Sequence, residues 1–247
     1  MLRRIAKKLG YQRIPKALTG TAQFNAAYER CKPFTMTSRE RMLSLWEAME
    51  WLNTHQIDGA FVECGVWKGG SSMLASENCR LHPTAQREFY LYDTFEGMST
   101  PEEVDKNFKG ESADVLMNTA AAAKDSSNIW AIGPIDEVRM NMVASGIASE
   151  KLHLIQGDVE KTIQHNTGPK DIAMLRLDTD WYRSTKHELT HLFHRIVPGG
   201  FLIIDDYGHW AGCQKAVDEF FQEFHLPPFF HRIDYTGIIT QRPWVDG

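Results

Sequence analysis

The chain has 247 residues, 43% hydrophobic and 24% charged, a balance that excludes disordered and fibrous architectures and fits one α/β domain or at most two small ones. Its 32 acidic against 27 basic side chains leave a net charge of −5, which argues against a dedicated nucleic-acid binder. The four cysteines (Cys31, Cys64, Cys79, Cys213) show neither CxxC nor Cys/His ligand spacing, so no zinc centre or disulfide framework is expected and a reducing, cytoplasmic setting is.

In chain order, the first 18 residues carry six basic side chains (Arg3, Arg4, Lys7, Lys8, Arg13, Lys16) and no acidic one. They lack the apolar stretch of a signal peptide, and no run in the chain approaches the roughly 18 residues of a membrane span. The segment 1–37 reads as a basic arm, either solvated, in contact with another subunit, or loosely drawn to an anionic membrane surface. Its apolar pattern is too sparse to fold alone, so packing on a second copy in a homo-oligomer is expected. From Ser38, a plausible N-cap, a domain is expected over 38–247. It opens with a helix over 39–52 that carries Leu43, Trp46, Met49 and Glu50 at helical intervals.

Short apolar runs then alternate with amphipathic stretches. Strands are expected at 60–64, 89–93, 152–155, 172–177 and 201–204, and helices at 71–81, up to about Gly146, at 184–196 and at 213–224. Pro198-Gly199-Gly200 reads as a turn before the fifth strand, and 230–233 with 237–240 as a closing hairpin. This alternation means a mostly parallel sheet with helices on both faces and an antiparallel addition at one edge. The polar segment 94–135 reads as a lid or binding loop inserted between the second and third strands.

Open α/β sheets bind ligands at the carboxyl ends of their strands. The first strand ends in Glu63-Cys64-Gly65-Val66-Trp67-Lys68-Gly69-Gly70-Ser71-Ser72, a glycine-rich turn into a helix whose free Ser71 and Ser72 N–H groups can hold a carboxylate. It is not GxGxxG. Asp93 ends the second strand, placed either to accept a ribose or to serve as a turn residue, and Gly157-Asp158 ends the third, facing an adenine or capping the next helix. Asp178 and Asp180 end the fourth strand, and Asp205 and Asp206 the fifth. Four carboxylates on neighbouring strands repel one another unless a cation is present, and an all-oxygen set selects Mg²⁺ or Mn²⁺. Trp181, Trp210 and His209 flank this group. The two indoles suit the flat face of a sugar or plain packing; the imidazole suits a general base or a hydrogen-bonded turn.

Taken together, VECGVWKGGSS, YDTFEGM, LIQGDVEKT, LRLDTDWYRST, PGGFLIIDDYGHW and AVDEF resemble the macrocin O-methyltransferase family, in order from about residue 60 to 240. The resemblance implies a Rossmann-like class I fold that uses S-adenosylmethionine, with seven strands in the order 3-2-1-4-5-7-6. It also implies a magnesium ion and an acceptor with vicinal hydroxyls, typically a sugar. By position, Asp178, Asp205 and Asp206 resemble metal ligands, and Asp180 the general base, with His209 as a second candidate. Glu63, Gly65, Val66, Ser71, Ser72, Asp93, Gly157, Asp158 and Asp178 match the cofactor pocket. After DDYG the chain carries His209-Trp210-Ala211-Gly212 where antibiotic-tailoring members carry other loops, so a nucleotide sugar or polysaccharide is an equal candidate acceptor. Two rival readings are a catechol-type O-methyltransferase, which pairs Asp with Asp-Asn rather than Asp-Asp, and a non-catalytic nucleotide-binding protein.

Overall fold

The computed structural model describes residues 20–121, 129–164, 168–224 and 227–243. Thr21 starts helix α1 (Ala22–Cys31) by accepting from the Phe24 N–H at 3.1 Å, and a short 3₁₀ turn (Lys32–Phe34) follows. Ser38 does the same for α2 (Arg39–Thr54), accepting from the Arg41 N–H at 3.1 Å. The chain then builds β1 (Ala60–Cys64), α3 (Gly70–Arg80), β2 (Phe89–Asp93), α4 (Ala113–Ala120), α5 (Ile135–Ala144), β3 (Leu152–Gln156), α6 (Val159–Thr162), β4 (Ile172–Leu177), α7 (Tyr182–Leu192), β5 (Ile196–Ile204), α8 (Ala211–Gln222), β6 (His231–Arg232) and β7 (Ile238–Gln241).

The sheet has seven strands in the order β3-β2-β1-β4-β5-β7-β6. β1 to β5 are parallel to their neighbours, whereas β7 runs antiparallel to both β5 and β6. The closing hairpin therefore supplies two antiparallel strands, with β7 against β5 and β6 outermost. Alternation along each strand divides the apolar side chains between two cores. Phe61, Phe89, Leu91, Met174 and Ile203 face α1, α2, α3 and α5; Val62, Cys64, Leu175, Leu177, Leu202 and Ile204 face α4, α6, α7 and α8.

Two local expectations change. Pro198-Gly199-Gly200 is not a turn before β5 but a bulge inside it: the pairing jumps from Ile172 with Ile196 to Met174 with Phe201. Gly199 accommodates a φ of +82°, and its N–H donates to the Arg242 carbonyl at 3.0 Å, so the ladder to the next strand continues through the irregularity. The helix expected to reach residue 196 ends at Leu192, with Phe193–Arg195 tightening into a 3₁₀ turn. The segment assigned to an arm also divides. Residues 1–19 lie outside the described residues, whereas Phe24, Ala27 and Cys31 of α1 are buried in the first core, Phe24 against Tyr28 and Trp46. No helix among the described residues is long and apolar enough to cross a membrane, and the four cysteines form no disulfide.

Because Phe24 is fully buried, Phe24→Ala is expected to lower unfolding free energy by about 3–5 kcal/mol in a urea titration. A change near zero would mean that α1 is an appendage rather than part of this core.

Candidate active site

The carboxyl ends of the parallel strands meet at a cavity of about 420 Å³. At one end, Gly65 turns the chain out of β1 with φ +81°, and a Cβ there would lie 2.0 Å from the Asp178 carbonyl oxygen, so only glycine fits. Asp93 ties this turn to β2. Its Oδ2 accepts from the Val66 and Trp67 N–H groups at 2.6 and 3.0 Å, and its Oδ1 from the Phe95 N–H at 2.7 Å. Burial nonetheless pushes the Asp93 pKa up. Asp158 caps α6 by accepting from the Glu160 N–H at 3.0 Å. Gly65, Val66, Ser71, Asp93, Gly157 and Asp158 all line the cavity. Glu63 and Ser72 do not. Both are buried behind the wall, where the Ser72 hydroxyl donates to Glu63 Oε2.

The other end is acidic. Asp178, Asp205 and Asp206 each offer an oxygen, all within 4.8 Å of one another, because β4 and β5 are paired up to Leu177 and Ile204 and end side by side. Beneath them lies Arg176, 3% exposed, whose guanidinium donates to Glu63 at 2.6 Å, Asp178 at 2.7 Å and Asp205 at 2.6 Å. Arg41 from α2 pairs with the second oxygen of Asp205 and with Asp234 at 3.0 Å, and the Thr37 hydroxyl donates to Asp205 at 2.7 Å.

This wiring divides the carboxylates. Burial works to raise Asp205, but Arg176 and Arg41 outweigh it and hold that group below its ordinary range. Asp206 is pushed well up by burial and by the charge of Asp180, and its Oδ2 is buried without a hydrogen-bond partner. Asp180 is also raised, by burial first and the charge of Asp178 second. Asp180 adopts φ +67°, a left-handed backbone that costs a non-glycine residue on the order of 1 kcal/mol and is commonest where function requires it.

His209 lines the cavity with its Nδ1 2.9 Å from the Tyr235 hydroxyl, and burial lowers its pKa. Of the two indoles, Trp210 lines the cavity, whereas Trp181 is buried edge-to-face on Trp210 at 4.8 Å and donates to the Ser99 carbonyl at 3.1 Å. Trp181 is thus a packing residue. Sequence reasoning passed over Arg176, Arg41 and Thr37. The available signal was the charge of Glu63 and of Arg176 inside two otherwise apolar strands, since a charge in a fully covered strand requires a partner.

The sequence profile of the macrocin O-methyltransferase (TylF) family matches residues 15–242. The chain belongs to that family. It is 30% identical to 8-demethyl-8-(2,3-dimethoxy-alpha-L-rhamnosyl)-tetracenomycin-C 4'-O-methyltransferase of Streptomyces olivaceus, over 83% of this chain and 74% of that protein. It is 29% identical to demethyldecarbamoylnovobiocin O-methyltransferase of Streptomyces niveus, over 84% of this chain and 75% of the relative. The solved structure of the O-methyltransferase NovP superposes with a TM-score of 0.73 at 28% identity, covering 85% of this chain and 83% of that one. This family member is accordingly an S-adenosylmethionine-dependent O-methyltransferase with the class I sheet order that its motifs led one to expect.

Arg176→Met removes the cation from buried Glu63 and half-buried Asp178 and one of the two arginines from Asp205, and is expected to cost about 3–5 kcal/mol at pH 8, measured by urea unfolding. Burial pushes the Glu63 pKa up from an ordinary 4.5 to about 7. On lowering the pH to 5.5, Glu63 and Asp178, both raised chiefly by burial, take up protons in the folded state and need no counter-charge, while Asp205 keeps Arg41, so the deficit is expected to shrink. A deficit independent of pH would assign the loss to packing instead.

Proposed function

We propose that this enzyme methylates a sugar hydroxyl with the help of a divalent cation, Mg²⁺ or Mn²⁺, held by Asp178, Asp205 and Asp206. The observation that carries the reading is the buried, partnerless Oδ2 of Asp206 beside two further carboxylates at the cavity floor. An all-carboxylate donor set of this kind fits a hard cation, which would complete the coordination that no protein hydrogen bond completes. When bound, such an ion lowers the pKa of an acceptor hydroxyl and fixes its orientation. The S-adenosylmethionine sulfonium supplies the electrophilic methyl group.

The remaining work belongs to the chain. Gly65 and Val66 let the cofactor approach the backbone at the end of β1, with Ser71, Asp93, Gly157 and Asp158 along the same wall. Asp180, poised above the cation site, takes the acceptor proton on a carboxylate oxygen, and its raised affinity for a proton suits that task. Met98, Ser99 and Ala131 of the insertion 94–135 wall the cavity, so the described part of this segment, which excludes 122–128, serves as the lid that keeps water from the transfer. The Streptomyces olivaceus relative acts on a rhamnosyl-bearing tetracenomycin, which supports a sugar acceptor over an aromatic diol.

Calorimetric titration of S-adenosylhomocysteine is expected to show one saturable site per chain, and Mn²⁺ a second. Absence of both with folded protein would remove the reading. Asp206→Ala is expected to abolish the Mn²⁺ site and leave S-adenosylhomocysteine binding intact. Asp180→Asn is expected to slow methyl transfer to a rhamnoside or catechol panel by about 10²–10⁴-fold, with cofactor affinity unchanged. Near-normal turnover would relieve Asp180 of the role, and preference for the catechol would overturn the sugar assignment.

A further inference from the structure

Thr179 stands between Asp178 and Asp180, and its side chain turns away from them. Its hydroxyl donates to Glu188 of α7, 3.0 Å from Oε1 and 3.1 Å from Oε2. Glu188 is fully buried, on the helix face that also buries Leu189 and Leu192, and among the described residues no cation lies within ion-pair distance of it. A carboxyl in that position is costly, and an apolar side chain would complete the helix face. Its hydrogen-bonding outlet among the described contacts is the Thr179 hydroxyl.

What that hydroxyl anchors is a strained turn. The Thr179 carbonyl accepts from the Trp181 N–H at 2.7 Å, closing a three-residue turn with Asp180 at its centre at φ +67°. Turns of this kind are rare for a residue with a side chain and persist only where the surroundings over-determine them. On the far side, the Trp181 indole is tied to the Ser99 carbonyl at 3.1 Å, and the Ser184 hydroxyl reaches the Trp181 carbonyl at 3.1 Å. On the near side, the Ser184 hydroxyl also reaches the Thr179 carbonyl at 3.3 Å, and the tether made by the Thr179 side chain itself is the bond to Glu188.

We infer that Glu188 is a positioning residue: by clamping the Thr179 hydroxyl it holds the strained turn that directs Asp180 into the cavity. The clamp is a statement about the turn and stands on its own geometry; its consequence for turnover rests on the proton-accepting role proposed above for Asp180.

The test compares the full chain with Glu188→Gln, Glu188→Leu and Thr179→Val by amide hydrogen exchange, read on peptides covering 178–182 with β4 as the internal control. Glu188→Leu and Thr179→Val are expected to speed exchange at 178–182 by about three- to tenfold, the range of one lost hydrogen bond, with β4 unchanged. Glu188→Gln keeps an acceptor oxygen in place and is expected to restore wild-type exchange, whereas a merely space-filling role for Glu188 predicts no change in Thr179→Val, which alters only the donor. Wild-type exchange in both Glu188→Leu and Thr179→Val would overturn the clamp, as would faster exchange in Glu188→Gln equal to that of Glu188→Leu. If Glu188→Leu does not fold, Thr179→Val, which keeps the shape and removes the donor, decides alone. Exchange needs neither cation nor acceptor, so a failure of the clamp is distinguishable from a failure of the proposed reaction, which the Mn²⁺ and S-adenosylhomocysteine titrations read separately.

Discussion

A guanidinium out of reach of water, wedged between Glu63, Asp178 and Asp205, is the contact around which the cavity is built. Its placement follows from strand geometry. Glu63 and Arg176 are partners across β1 and β4, and Arg176 is registered with Ile203, two residues before Asp205, so period-two alternation brings all three side chains to one face. Burying so many charges is costly, and only their mutual pairing makes it tolerable. Arg41, Thr37 and Asp234 extend the network outward, binding α2, the segment before it and the turn between β6 and β7 to the same carboxylate.

That network creates two kinds of acid within a few ångströms. Asp205 is saturated by two arginines and a hydroxyl and stays ionised. Asp206 and Asp180 form no ion pair among the described residues and are driven toward the protonated form by burial and by neighbouring carboxylates, Asp180 acting on Asp206 and Asp178 on Asp180. The separation matters for chemistry: a fixed negative charge suits an ion site, and a carboxylate with a raised proton affinity suits proton transfer. Strain at Asp180 belongs to the same design, since a left-handed backbone held by its neighbours sets the direction of the side chain.

The opposite end of the cavity shows how much of an apparent binding motif is internal wiring. Asp93 spends three acceptor positions on the N–H groups of Val66, Trp67 and Phe95, and Glu63 and Ser72 bond each other behind the wall. These residues shape the turn as well as face a ligand, which is why a turn reading and a ligand reading of Asp93 both had a physical basis.

The sequence by itself determined the strands, the sheet order implied by family resemblance and the acidic edge, because β-branched and aromatic runs broken by glycine leave few other choices and strand ends are where side chains become exposed. The spans of β1, β2 and β4 follow from the apolar runs alone, and Asp178, Asp205 and Asp206 do converge. Only the tertiary structure decided which charges pair. Period two says which face Arg176 takes but not that Glu63 and Asp205 stand beside it, which depends on register between strands distant in the chain. The same limit hid the bulge at Pro198-Gly199-Gly200, where two strands of unequal length must stay bonded, and the burial of Phe24, whose partner Trp46 lies on another helix. Local periodicity reports a residue's own backbone; burial and pairing are properties of what the rest of the chain brings against it.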